Sequence, residues 1–160
     1  MMAKPVRAPL WQAWGPPVVW ALILVALSGD VGASPKTFHL FQWVLATFTN
    51  LSPQTIELLH PWFRKSLHVI FYGILSVLWF RALVLTYPER RGVNLILTLV
   101  LSLGVSLLDE GHQYLVRSRS GAFRDIGLDM TGAILFTLVA DRLMKRRVRI
   151  PPQAEESPFS

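Results

Sequence analysis

Apolar and polar positions alternate along this chain in long blocks. Leu10 to Ser28 carries no charge over 19 residues, close to the roughly 20 that a helix needs to cross a hydrocarbon core. Pro16 and Pro17 lie inside this block and predict a kink or a fresh helix start. A second block runs from about Ser66 to Thr86, interrupted only by Arg81, which sits near enough to one end to extend toward head groups. After a tight connection from Tyr87 to Gly92, a third helix is expected over 93–114 and a fourth over 123–144. Between the first and second blocks the pattern changes. Thr37 is placed to cap a helix running to about Thr47, with Phe38, Phe41, Val44, Leu45 and Phe48 on one face. That segment is too short to span. It suits either the membrane surface or a lid packed on the other helices. Ser52 as N-cap and Pro53 at the first position then predict a short helix to His60, ended by Pro61.

The pattern therefore predicts an all-α integral membrane protein. It has four transmembrane helices (about 10–28, 66–86, 93–114 and 123–144), with a short amphipathic interfacial helix between the first and second. Residues 1–9 read as a basic leader, 10–144 as the transmembrane domain, and 145–160 as a basic, then disordered, tail. A cleavable signal peptide ending near Ser28 is the rival reading of the first block. Trp11, Trp14 and Trp20 favour a retained helix, because tryptophan anchors at membrane interfaces.

Composition agrees. The 160 residues are 52% hydrophobic and contain no cysteine, which excludes disulfides and thiolate metal sites. The formal net charge of +6 does not point to nucleic acid, since the basic residues flank apolar helices and do not interleave with aromatics. They serve better as topology signals. Lys4, Arg7, Arg90, Arg91, Arg142, Lys145, Arg146, Arg147 and Arg149 fall on one side of a four-span arrangement. Lys36, Arg64, Lys65, Arg117, Arg119 and Arg124 fall on the other. The larger set predicts a cytoplasmic location for both termini.

One stretch breaks the apolar rule. The segment from Asp109 to Asp129 holds four of the ten carboxylates, Asp109, Glu110, Asp125 and Asp129, together with Arg117, Arg119 and Arg124. Ionisable groups at the ends of membrane helices are costly and usually face a protein interior or a wet cavity. Asp109, Glu110, His112 and Gln113, followed by Arg119, Asp125, Asp129 and Gly132, resemble the signature of the VanZ-like membrane protein family. Arg64, Lys65, His68 and Tyr72 resemble that family's first polar motif. One departure is visible: Arg117-Ser118 stands where the family commonly has Pro-Gly. The resemblance covers about half the chain, from Trp62 to Leu138. It implies a small multi-pass protein of the bacterial cell envelope, in the inner membrane, associated with resistance to the glycopeptide teicoplanin. It implies no reaction mechanism.

Helical spacing gives these residues a geometry. Lys65, His68 and Tyr72 share one face of the second span, Asp109, His112 and Gln113 one face of the third, and Asp125 and Asp129 one face of the fourth. All lie at the outward ends of their helices. Arg119 and Arg124 are each able to reach a carboxylate. Four uses are open. One is ion or proton transport through the intramembrane polar groups, against which the first helix and the inner half of the third offer no charge to continue a path. Or the cluster is a structural ion-pair network. Or it binds an anionic lipid head group, a lipid-linked wall precursor or a glycopeptide, with Lys65, Arg119 and Arg124 as contacts. Or it does acid–base chemistry through Asp109, Glu110, His112 and Asp129, as a hydrolase or transferase on a lipid-linked substrate. His68, His112, Asp109 and Asp129 form a conceivable donor set, yet no HExxH, GxSxG or phosphate-loop motif occurs. Binding is the favoured reading and catalysis the alternative left open, with no cofactor or metal expected, and membrane lipids as partners. Gly73, Gly104, Gly111, Gly127 and Gly132 are expected where helices approach closely. Ser102 and Ser106 share a face of the third helix, and His39 and His60 read as bland surface histidines.

Overall fold

The computed structural model describes residues 9–27, 34–115 and 123–149, and among these every regular element is a helix. The five are α1 (Leu10–Leu27), α2 (Ser34–Phe48), α3 (Pro53–Thr86), α4 (Arg91–Leu115) and α5 (Phe123–Arg149). Three of them, α1, α3 and α4, are long and apolar enough to cross a membrane. The 27-residue α5 has the length but carries more charge. Two of its carboxylates, Asp129 and Asp141, are buried against partners on other helices.

Helix α3 is the axis of the bundle and touches the other four helices. Ser52 caps its start in an extended conformation, its hydroxyl accepting from the Thr55 N–H at 3.2 Å, with Pro53 following as expected. The helix does not end at Pro61. It runs through as one element of 34 residues, so the predicted helix 53–60 and the span 66–86 are continuous. Proline removes one backbone donor, and packing from α2 holds the segment on either side. Phe41 stacks on Phe63 at 4.6 Å, and both Phe38 and Phe41 lie against the ring of His60. His60 is thus buried, contrary to the surface reading. A helix of 34 residues is about 51 Å long, against a hydrocarbon core of about 30 Å. Its charged residues Glu57, Arg64 and Lys65 lie within 53–65, and Arg81 near the other end.

Helix α2 begins at Ser34, three residues before the predicted cap at Thr37, so Thr37 lies within the helix. Its Phe38–Phe41 edge packs on α3, while Leu40, Trp43 and Phe48 are exposed. Helix α1 runs through Pro16 and Pro17 without interruption. Two of its three tryptophans are hydrogen-bonded to α3. The Trp14 indole N–H donates to the Thr86 hydroxyl at 2.9 Å, and that of Trp20 to the Phe71 carbonyl at 3.0 Å. Trp14 also packs on Trp79, and Leu24 joins Tyr72, Leu75 and Trp79 in the core. Arg81 donates to the Gln12 carbonyl at 3.2 Å and so ties α3 to α1.

These pairs make α1 antiparallel to α3. The bond from Tyr72 to Asp109 and that from Asn94 to the Tyr87 carbonyl make α4 antiparallel to α3 as well. Helices α3 and α5 run parallel, with His68 beside Asp129 and Gly73 beside Phe136. The start of α1, the turn at 87–90 and the end of α5 consequently share one end of the bundle. The polar motifs share the other.

Candidate functional site

Two glycines set the geometry of the site. A Cβ on Gly132 of α5 would strike the backbone carbonyl of Val69 on α3, and one on Gly73 would lie 2.6 Å from the Phe136 ring. The absence of side chains here lets the two backbones approach directly. Gly104, Gly111 and Gly127 face open space, so three of the five expected close-approach glycines play no such part. Because Gly132 lies three residues beyond Asp129, and Val69 follows His68, this contact brings those two side chains together.

At the site, His68 Nδ1 and Asp129 Oδ1 are 2.8 Å apart. The other Asp129 oxygen accepts from the Ser106 hydroxyl of α4 at 2.6 Å. The Tyr72 hydroxyl donates to Asp109 Oδ2 at 3.1 Å, and the Gln113 amide donates to Glu110 at 3.3 Å. Asp129, Asp109, Glu110, Tyr72, Ser106 and Gln113 are all buried. His68 is 15% exposed and lies nearest the surface of the cluster. Three helices thus supply three carboxylates, an imidazole, two hydroxyls and an amide within a few ångströms. In a low-dielectric setting, each of these groups must be held by hydrogen bonds or charge to be tolerated.

The expected residues divide. His68, Tyr72, Asp109, Glu110, Gln113 and Asp129 meet. His112, on the edge of the same turn, is exposed. Asp125 is half-buried one turn from Asp129. Arg64 is half-buried, Lys65 is exposed with its Nζ 5.0 Å from the Trp62 ring centre, and Arg124 is exposed. Among the described residues, neither Lys65 nor Arg124 forms an ion pair with a cluster carboxylate. The cations stand at the rim and the acids at the centre. Arg117 and Arg119 lie outside the described residues.

His68, Asp109, Glu110 and Asp129 each present a ligand atom, all within 4.8 Å of one another. One nitrogen and three oxygens at that spacing are able to share a divalent cation. Glu110 stands there where sequence reasoning had placed His112. The contact between His68 Nδ1 and Asp129 would have to open for that pair of atoms to ligate together. The same pair, next to two further carboxylates, has the composition of an acid–base couple.

What sequence reasoning missed is a stripe. Asn94, Thr98, Ser102, Ser106 and Glu110 recur every fourth residue of α4, and all are buried. Ile96, Val100, Leu107 and Leu108 point outward and are exposed. The helix is polar inside and apolar outside, as expected for a helix whose outer medium is lipid. The signal was present in the sequence as a fixed spacing of four.

Comparison with known proteins adds one match. A family model described as VanZ/LLP1 matches residues 17–144, which takes in both polar motifs and most of the five helices. No curated protein and no solved structure matches the chain.

Proposed function

The chain belongs to the VanZ-like family, and on that premise we propose that it is an envelope membrane protein that binds a polar, lipid-linked ligand at its cluster end. Helix α5 crosses the membrane with α1, α3 and α4, its buried acids neutralised by partners on those helices. Helix α2 lies at the interface with Leu40, Trp43 and Phe48 toward lipid. The observation that carries the binding reading is the division of charge. Buried carboxylates from α4 and α5 converge with His68 and Tyr72 of α3 beneath a rim that holds Arg64, Lys65 and Arg124. A bare anion is repelled by three buried carboxylates. A ligand carrying a phosphate next to sugar hydroxyls or peptide amides satisfies both layers. The phosphate meets the rim cations, and the donors meet Asp109, Glu110 and Asp129. A lipid-linked wall precursor has that chemistry. A glycopeptide such as teicoplanin offers the same donors with an acyl chain. This reading also gives the family's link to teicoplanin resistance a physical basis, with the protein acting where precursor and antibiotic meet.

The experiment is a panel of single substitutions, Glu110→Gln, Asp129→Asn and Lys65→Gln, in cells exposed to teicoplanin. Membrane level, thermal stability of the purified protein and resistance are scored separately. At least one variant is expected to lose resistance and retention of a lipid-linked precursor while remaining folded and inserted. Loss of resistance that only tracks loss of folded protein would make the cluster a structural clamp.

A further inference from the structure

The polar stripe of α4 leads away from the cluster toward the opposite end of the bundle. It starts where Ser106 bonds Asp129 and ends beside Arg91, whose Nε donates to Asp141 Oδ1 at 2.6 Å. The 15 residue steps from 106 to 91 cover about 22 Å of a core about 30 Å thick. Helix α5 answers it, with Asp129, Thr137 and Asp141 buried. The two terminal contacts fix an antiparallel register, and that register sets Thr137 near the level of Thr98 and Asn94.

Some of these groups already have protein partners. Thr98 bonds the Asn94 carbonyl at 2.8 Å, and the Asn94 amide bonds the Tyr87 carbonyl at 2.8 Å. Among the described residues, three buried atoms along this seam have no hydrogen-bond partner: Asn94 Oδ1, Ser102 Oγ and Thr137 Oγ1. They come from two facing helices, and their residues are at most 1% exposed. Unpaired polar atoms in a membrane interior are costly, and internal water is the usual remedy. The spacing suits it. Four residues along a helix are about 6 Å, and two hydrogen bonds of about 2.8 Å bridge that interval through one water. The Ser102 and Thr137 hydroxyls and water both donate and accept, so together they can pass a proton, while Asn94 Oδ1 only accepts and so orients the water beside it.

We propose that the α4–α5 seam is a water-mediated proton path joining the cluster to the Arg91 end of the bundle. A proton taken up at one end is matched by one released at the other, and no other bond changes. At the cluster the titratable groups facing the path are His68 and Tyr72 from α3, Asp109 and Glu110 from α4, and Asp125 and Asp129 from α5. At the far end they are Arg91, Asp141 and Lys145. Arg91 and Lys145 make that end unfavourable to metal cations. The seam therefore suits proton hopping better than ion diffusion. The inference stands on the seam alone and is independent of which ligand the cluster binds.

The test uses the full chain reconstituted into liposomes containing a pH-reporting dye, with a potassium diffusion potential imposed by valinomycin. The wild-type protein is expected to carry protons faster than empty vesicles. Ser102→Ala is the informative variant, because its hydroxyl has no protein partner to lose and folding should survive. It is expected to slow proton entry about tenfold, equivalent to about 1.4 kcal/mol on the barrier, with Ser102→Thr restoring it. Leu103→Ala, on the lipid-facing side of the same turn, should leave the rate unchanged. A wild-type rate no faster than empty vesicles overturns the proposal. So does a Ser102→Ala variant that is folded and conducts normally, which would assign the stripe to helix packing.

Discussion

Helices α4 and α5 meet in two polar contacts, one at each end, and the two are built differently. At the Arg91 end, one carboxylate is matched by two full cations. Asp141 takes Arg91 and Lys145, and Arg91 also donates to the Asp141 carbonyl at 2.6 Å. Both cations are substantially exposed, at 36% and 57%, so water shares the load and the pair acts as a clamp. At the other end, three buried carboxylates gather round one histidine and neutral donors. This end is buried where the clamp is wet, and it draws side chains from three helices instead of two. The convergence of buried ionisable groups from several helices is why the cluster, and not the clamp, is proposed as the site.

The strongest way to break the comparison is at the helix contact beneath the cluster. Gly132→Val forces side-chain atoms into the Val69 carbonyl. It is expected to cost more than the ~1–3 kcal/mol usual for overpacking, because backbone must move. Thermal unfolding in detergent should show a collapse of folded yield, whereas Gly104→Ala, which meets open space, should be neutral. A smaller effect is expected from Tyr72→Phe. It removes a buried hydroxyl bonded to Asp109, a loss of about 1.5–3 kcal/mol for a bond to a charged group. Ligand retention should fall along with melting temperature, since the same bond orients Asp109.

Asp141→Asn sharpens the contrast from the other side. Its partners are half in water, so the loss should lie at roughly 1–3 kcal/mol, between the limits for exposed and buried pairs. Resistance per folded molecule should be unchanged, and a selective loss of resistance would place function at the clamp. The smallest effect is expected from Ser52→Ala, far from both ends of the α4–α5 seam. Removing this N-cap should cost about 1 kcal/mol of stability, visible as a modest downward shift in melting temperature with binding intact.

The sequence by itself determined that the chain is helical and where most of its helices lie. Apolar runs of spanning length, the Ser52-Pro53 cap and the polar residues at helix ends are local facts, and local rules read them correctly. It also named six of the residues that meet in the cluster. What it could not supply was which side of each turn faces inward. His112 and Glu110 both sit within a helical turn of Asp109 and Gln113. Only the direction from which α3 and α5 approach buries Glu110 and leaves His112 exposed. The same holds for Pro61, a local stop signal overridden by the stacking of Phe38 and Phe41 on α3. It holds too for Trp14 and Trp20, whose indole donors found partners on α3 that no local rule names. The pairing of His68 with Asp129, 61 residues apart, was decided by two glycines. Their missing side chains are visible in sequence, but the backbone they admit is defined only when the helices pack.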